Sequence, residues 1–251
     1  KFFGITKIIT YLNFFDEMIV IAKKVNTLPS KSKRAILHAD DFGLSKHSSD
    51  NILECFKYSL NRTSIMPNGQ AFDYAIEKFK FIKNKELGIH LNIIEGKPVS
   101  EPSKIQDISS NNKFKNSFLT LLLNYYFAGT QKKQRIYDQV KTELSLQIEK
   151  VVKMFDSDFA IHLDSHQYIH CIPFISNIII DLSKEYKIKS VRHPNELLIF
   201  KFNFHHIKNF FSINIIKFLV LKVLSRNLKY KLIKNNINFN DYFIGLLFSN
   251  N

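Results

Sequence analysis

Apolar residues in this chain come in short runs that stop at polar or turn-forming positions, and between them lie longer stretches with a helical period. Ala35-Ile36-Leu37 stops at His38-Ala39-Asp40-Asp41-Phe42-Gly43, the pattern of a buried strand feeding a loop. Ile52, Leu53 and Phe56 give residues 48–59 helical spacing. A second strand is predicted over 63–66, ahead of Pro67-Asn68-Gly69, and a second helix over 72–82. Residues 86–94, ELGIHLNII, predict a third strand, which Glu95-Gly96-Lys97-Pro98 breaks. Residues 101–117 are rich in Ser, Asn and Lys and read as a loop. A long helix follows over 131–155, a strand over 159–164, a helix over 175–186 and a strand over 188–191, ending at Arg192-His193-Pro194. Residues 201–234 also predict helix, and the lysines inside the apolar run of INIIKFLVLKVL make it amphipathic rather than membrane-spanning. Short strands alternating with helices imply an α/β fold of parallel βαβ units, either a doubly wound sheet or a barrel.

The first 30 residues stand apart. They are strongly apolar, but Asp16 and Glu17 interrupt them, and no run reaches the ~20 residues that a membrane span needs. An amphipathic helical segment over residues 1–30 is expected, packed on the protein or lying at a membrane surface, followed by a single α/β domain over 31–251. The segment lacks the small-residue cleavage site of a signal peptide, and Cys55 and Cys171 form no CxxC pair. Both facts point to a reducing, cytoplasmic setting, with peripheral membrane contact as the alternative. The net charge of +14 invites a nucleic-acid partner. The excess is mostly lysine, however, in a chain crowded with Asn, Ile and Phe and short of Gly, all residues whose usage follows A/T-rich codons. No arginine-rich block accompanies it, so no nucleic-acid partner is expected. Oligomeric state is open, with a homodimer compatible.

Candidate chemistry sits at the ends of three predicted strands. These are Asp40 and Asp41, then His90, then HLDSHQYIH (162–170), which holds three of the nine histidines. The C-terminal ends of parallel strands form the active face of α/β folds. Each feature alone has a plainer explanation: Asp-Asp before Phe-Gly as a turn or helix cap, His90 as a core histidine. The conjunction favours a site. Neutral imidazoles with a carboxylate suit a borderline divalent cation, and a second carboxylate can accept a proton from an activated water.

Three segments also carry a family resemblance. AILHADDFGLS, LGIHLNIIEGKPVS and HLDSHQYIHCIP, in that order, resemble the signature motifs of the YdjC-like carbohydrate deacetylases, which include chitooligosaccharide and hopanoid-biosynthesis-associated members. MPNGQAFDYA (66–75), ELSLQIEK (143–150), VRHPNE (191–196) and DYFIGL (241–246) are weaker matches. The resemblance implies a distorted TIM-like (β/α) barrel of parallel strands, one divalent metal ion (Mg²⁺ or Zn²⁺), and hydrolysis of the linear amide of an acetylated amino sugar. Residue by residue, Asp41, His90 and His166 match the metal ligands and Asp40 the general base. His162, Asp164 and His170 fall in the third motif as groups that orient a ligand or contact substrate, with Asp164 the natural partner of the His166 ring, and Arg192 lines the pocket. The family's further histidine near the C-terminus has no match after DYFIGL, which implies a barrel incomplete at that end. A sugar-binding chain without turnover, or a different metal hydrolase acting on phosphate esters, stays open beside the deacetylase reading.

Overall fold

The computed structural model describes residues 8–14, 17–22, 36–156, 158–195 and 213–243. It begins with an antiparallel hairpin, β1 (Ile8–Phe14) and β2 (Glu17–Ala22), which pairs Ile8 with Ala22 and Phe14 with Glu17. Where an amphipathic helix is expected over residues 1–30, residues 8–14 and 17–22 are strands instead, and the rest of that segment lies outside the described residues. IITYLNF and EMIVIA are dense in β-branched and aromatic residues, which favour extended backbone.

The main sheet is parallel. β3 (His38–Phe42), helix α1 (Lys46–Phe56), β4 (Arg62–Ile65), α2 (Phe72–Phe79) and β5 (Glu86–Leu91) follow one another as two βαβ units. A short hairpin, β6 (Ser109–Ser110) with β7 (Lys113–Phe114), lies in the segment expected to be loop. α3 (Phe118–Tyr126) and α4 (Thr130–Val152) then lead to β8 (His162–Ser165). α5 (Pro173–Glu185) connects to β9 (Ser190–Val191), and α6 (Ile213–Lys234) leads to a parallel bridge between Asn238 and Ser190. The helix expected over 201–234 lies outside the described residues up to 212.

Strand order across the sheet is β3-β4-β5-β8-β9, without reversal. A doubly wound sheet reverses its order; an arc that keeps chain order has the winding of a (β/α) barrel. The arc is not closed into a ring among the described residues.

The two faces of this sheet differ completely. Side chains alternate along a strand and here, apart from Asp41 and Phe42 at the irregular end of β3, the odd positions are apolar or small: Ala39, Thr63, Ile65, Leu87, Ile89, Leu91, Leu163 and Val191, all buried. Helices pack on that face, with Ile52 and Phe56 of α1, Ile76 and Phe79 of α2, and the α4 and α5 isoleucines joining one core. Even positions read His38, Asp40, Arg62, Ser64, Glu86, Gly88, His90, His162, Asp164, Ser190 and Arg192. Strand β3 thus covers HADDF itself, where the apolar run had suggested 35–37 with a loop after it. Its polar residues are strand residues facing other polar strand residues.

Local signals set the helix ends. Ser45 caps α1, its hydroxyl accepting from Ser48 N at 3.1 Å while Ser48 Oγ accepts from Ser45 N at 3.3 Å. Pro173 starts α5 at a position where its missing N–H costs nothing. The buried stripe of α4 runs Ile136, Val140, Glu143, Leu144, Gln147, Ile148 and Val151, a helical period with two polar residues inside it. Burying those groups is tolerable only because each is hydrogen bonded. Glu143 accepts from Val99 N (2.9 Å) and Ser100 N (2.8 Å); Gln147 bonds both backbone groups of Asn92 (3.0 and 2.6 Å). Together they tie the loop after β5 to the helix behind it.

Candidate metal centre

Asp40 lies on the polar face by strand alternation, whereas Asp41 should not. Pairing between β3 and β4 shifts register between Ala39 and Phe42, and Asp41 takes a left-handed φ of 61°. This irregularity swings the Asp41 carboxylate toward the polar side while leaving Phe42 fully buried against Phe79. Aspartate tolerates the left-handed region better than most residues, though such a conformation still stores about 1–3 kcal/mol.

His90 and His166 meet Asp41. Asp41 Oδ1 lies 3.1 Å from His90 Nε2 and 3.0 Å from His166 Nδ1, and the donor atoms of the three residues all fall within 4.8 Å of one another. Register explains the next contact. His90 and Asp164 are Cα partners on neighbouring parallel strands, and His90 Nδ1 donates to Asp164 Oδ1 at 2.6 Å. Asp164, expected beside the His166 ring of its own motif, instead holds His90. The far nitrogen of His166, Nε2, faces Glu95 Oε1 at 3.3 Å.

A second cluster adjoins the first. The Arg192 guanidinium donates to both oxygens of Asp40, each at 2.7 Å, and to Asp164 Oδ2 at 2.6 Å. His38 Nε2 lies 3.1 Å from Asp40 Oδ1, 3.3 Å from Asp164 Oδ2 and 3.0 Å from Ser64 Oγ. Phe243, from the DYFIGL motif, lies 5.6 Å from the guanidinium. His38, Ser64, Glu95 and Glu143 were not singled out from the sequence. For His38 and Ser64 a signal existed, since His38 shares a strand face with Asp40 and Ser64 lies opposite on β4.

Burial alone would raise the Asp40 and Asp41 carboxyls. For Asp40 the Arg192 charge and hydrogen bonds, with His38 and His90, together outweigh burial and hold the group well below the usual range; for Asp41 the His90 and His166 rings do the same. Burial opposes charge on His90, but Asp164 and Asp41 prevail and push its pKa up to about 10. The site therefore calls for positive charge. Asp40, Asp41 and Asp164 gather around one guanidinium and the His90 ring, and with a cation in place of the His90 proton the imidazoles are neutral and the excess is two negative charges. A divalent cation balances that excess, and one carboxylate with two imidazoles is a donor set suited to such an ion.

The remaining histidines of the third motif do different work. His170 is buried, donates through Nε2 to the Arg192 carbonyl at 2.9 Å, and is bonded through Nδ1 to Ser165 Oγ, so it fixes the backbone that carries Arg192. Burial lowers its pKa to about 4. His162 lies two residues before Asp164 on the same face and bonds Ser190 Oγ at 2.6 Å; burial, then the Arg62 charge, lowers it to about 4. Left-handed Gln167 and Tyr168 turn the chain sharply after His166. Glu95 also lines a cleft of about 970 Å³, walled by Met66, Asn68, Val99, Lys113 and Lys150.

Fold and site together define a parallel α/β protein with a buried carboxylate–imidazole centre at its strand ends. The profile of the YdjC-like protein family matches residues 34–251, and the chain belongs to that family. Among curated proteins it is 30% identical over 146 residues to a chitooligosaccharide deacetylase of Salmonella typhimurium, covering 57% of this chain and 53% of that protein. It is likewise 30% identical over 166 residues to a carbohydrate deacetylase of Oceanobacillus iheyensis, covering 65% and 66%. The matches thus span about half to two thirds of these relatives. Among solved structures, a candidate cellobiose-phosphate cleavage protein of Enterococcus faecalis superposes with a TM-score of 0.52 at 14% identity, covering 81% of this chain and 95% of that one. That likeness concerns the fold alone. No helix among the described residues is long and apolar enough to cross a membrane.

Proposed function

We propose that this chain is a metal-dependent hydrolase that removes an N-acetyl group from an amino sugar, with Asp41, His90 and His166 holding one divalent ion, Mg²⁺ or Zn²⁺. The observation that carries the reading is their convergence on one carboxylate oxygen, beside an arginine-clamped aspartate, with Glu95 shared between the centre and a cleft of about 970 Å³. The names of the relatives, chitooligosaccharide deacetylase and carbohydrate deacetylase, supply the substrate class.

A divalent ion in this site supplies an acidified water and polarisation of the amide carbonyl. The chain supplies the rest. Arg192 keeps Asp40 ionised and fixes the plane of its carboxylate, and its partly exposed oxygens can accept a proton from the attacking water. A carboxylate held this acidic gives the proton up readily, so it can pass to the departing nitrogen as the C–N bond breaks. Acetate and a free amine are the products. His170 and Asp164 keep Arg192 and His90 in place through this exchange.

Acetate release from N-acetylglucosamine oligomers, measured on metal-stripped protein titrated with Mg²⁺, Zn²⁺, Co²⁺ or Mn²⁺, tests the reading. Release should saturate with at least one ion, and Asp40→Asn should lower it by about 10²–10⁴-fold. No release with any of the four ions would end the hydrolase reading. Oligomer binding without release would instead favour a sugar-binding protein, a reading that the double engagement of Asp40 by Arg192 supports, because it weakens the base.

A further inference from the structure

We propose that Glu95 is the positioning residue for His166, fixing its ring so that Nδ1 is the atom offered to the ion; this rests on the metal centre proposed above. Each imidazole of that centre lies between a shared carboxylate and one of its own. Asp41 Oδ1 is the shared group, facing His90 Nε2 and His166 Nδ1. On the far sides, His90 Nδ1 meets Asp164 Oδ1 at 2.6 Å and His166 Nε2 meets Glu95 Oε1 at 3.3 Å. An imidazole that donates one N–H to a carboxylate keeps its lone pair on the other nitrogen, which settles the atom that can ligate. His90 therefore offers Nε2 and His166 offers Nδ1. The two ligands use opposite nitrogens because their carboxylates approach from opposite sides.

The loop around Glu95 is built to hold it. Asn92 Nδ2 and Asn68 Nδ2 donate to the Glu95 carbonyl at 2.9 and 3.0 Å, and Asn68 Nδ2 also reaches the Lys97 carbonyl at 3.1 Å. Asn92 Oδ1 accepts from Ile94 N at 2.9 Å and Glu95 N at 3.3 Å. Gln147 and Glu143 anchor the two ends of the loop to α4. Every one of these bonds is to backbone, so the Glu95 side chain is left to His166. With 47% of that side chain exposed at the cleft, it can be replaced without opening the core.

Zinc affinity of the full chain, read by competition with a chelating dye, tests the assignment alongside long-range ¹⁵N–¹H spectra of the zinc-loaded protein. Glu95→Ala should weaken zinc binding by about 10–100-fold, with far-UV circular dichroism unchanged. Glu95→Gln, whose amide oxygen accepts the same N–H, should recover most of that loss. The wild-type spectrum should show the His166 ring protonated at Nε2. Unchanged zinc affinity in Glu95→Ala beside a zinc-binding wild type, or a His166 proton on Nδ1, would overturn this assignment and leave the metal centre standing. A wild-type chain with no affinity for Zn²⁺, Mg²⁺, Co²⁺ or Mn²⁺ would overturn both.

Discussion

The two faces of one sheet, separated by nothing but the alternation of side chains, obey different physics. On the odd face, Ile65, Ile89 and Leu163 are stabilised by burial against helices, and any apolar residue of similar volume would serve. On the even face, His90 and Asp164 are buried, Arg192 nearly so and Asp40 partly, and each is tolerable only because the others are present. The first face confers stability that spreads over many contacts. The second concentrates charge that a ligand can answer.

That contrast can be broken most sharply at Arg192. Arg192→Met leaves Asp40 and Asp164 without their cation, and chemical denaturation at neutral pH should show a loss of about 3–5 kcal/mol. The loss should shrink in acid as the carboxylates protonate. An undiminished loss in acid would mean that the arginine matters for packing rather than charge. Ile89→Ala, on the opposite face of the sheet in β5, should cost about 2–5 kcal/mol at every pH. The folded fraction of that variant should bind zinc as the wild type does, and a weakened affinity would show that the faces are coupled.

The smallest effect concerns His170. Its folded pKa of about 4 lies below the ordinary 6.5, so between these values the unfolded chain binds a proton that the folded one does not. Stability from this group is full above pH 6.5 and declines as the pH falls toward 4, by roughly 3 kcal/mol over the window. Denaturation of metal-free protein across that range should show the decline, and His170→Gln should lessen it, leaving the part that His162 contributes over the same window. A variant with the wild-type slope would move the effect to another group.

Much of this arrangement is legible in the chain. The three strand ends with their polar residues mark the site, and Asp40, Asp41, His90, His166 and Arg192 do converge. Strand limits are less legible where the site begins. HADDF looks like a loop because strands are expected to be apolar, yet a strand whose neighbours are polar on the same face loses nothing by being polar there. The N-terminal segment shows the opposite failure, in which apolar content suggested a helix while β-branched and aromatic residues dictated a hairpin. α3 escaped notice because its run, FLTLLLNYY, follows directly on the polar segment read as loop.

By itself the sequence determined the α/β class, the order of the main-sheet strands with most of the helices between them, and the residue types gathered at the strand ends, since these follow from short-range periodicity and turn chemistry. Which carboxylate serves which histidine was decided only in three dimensions. Asp164 lies two residues from His166 but belongs to His90, because strand register sets those two side by side across 74 residues of chain. Glu95 reaches His166 only because buried groups of a distant helix hold its loop in place. Pairings of this kind depend on register and on packing between distant segments, and neither leaves a local trace in the order of residues.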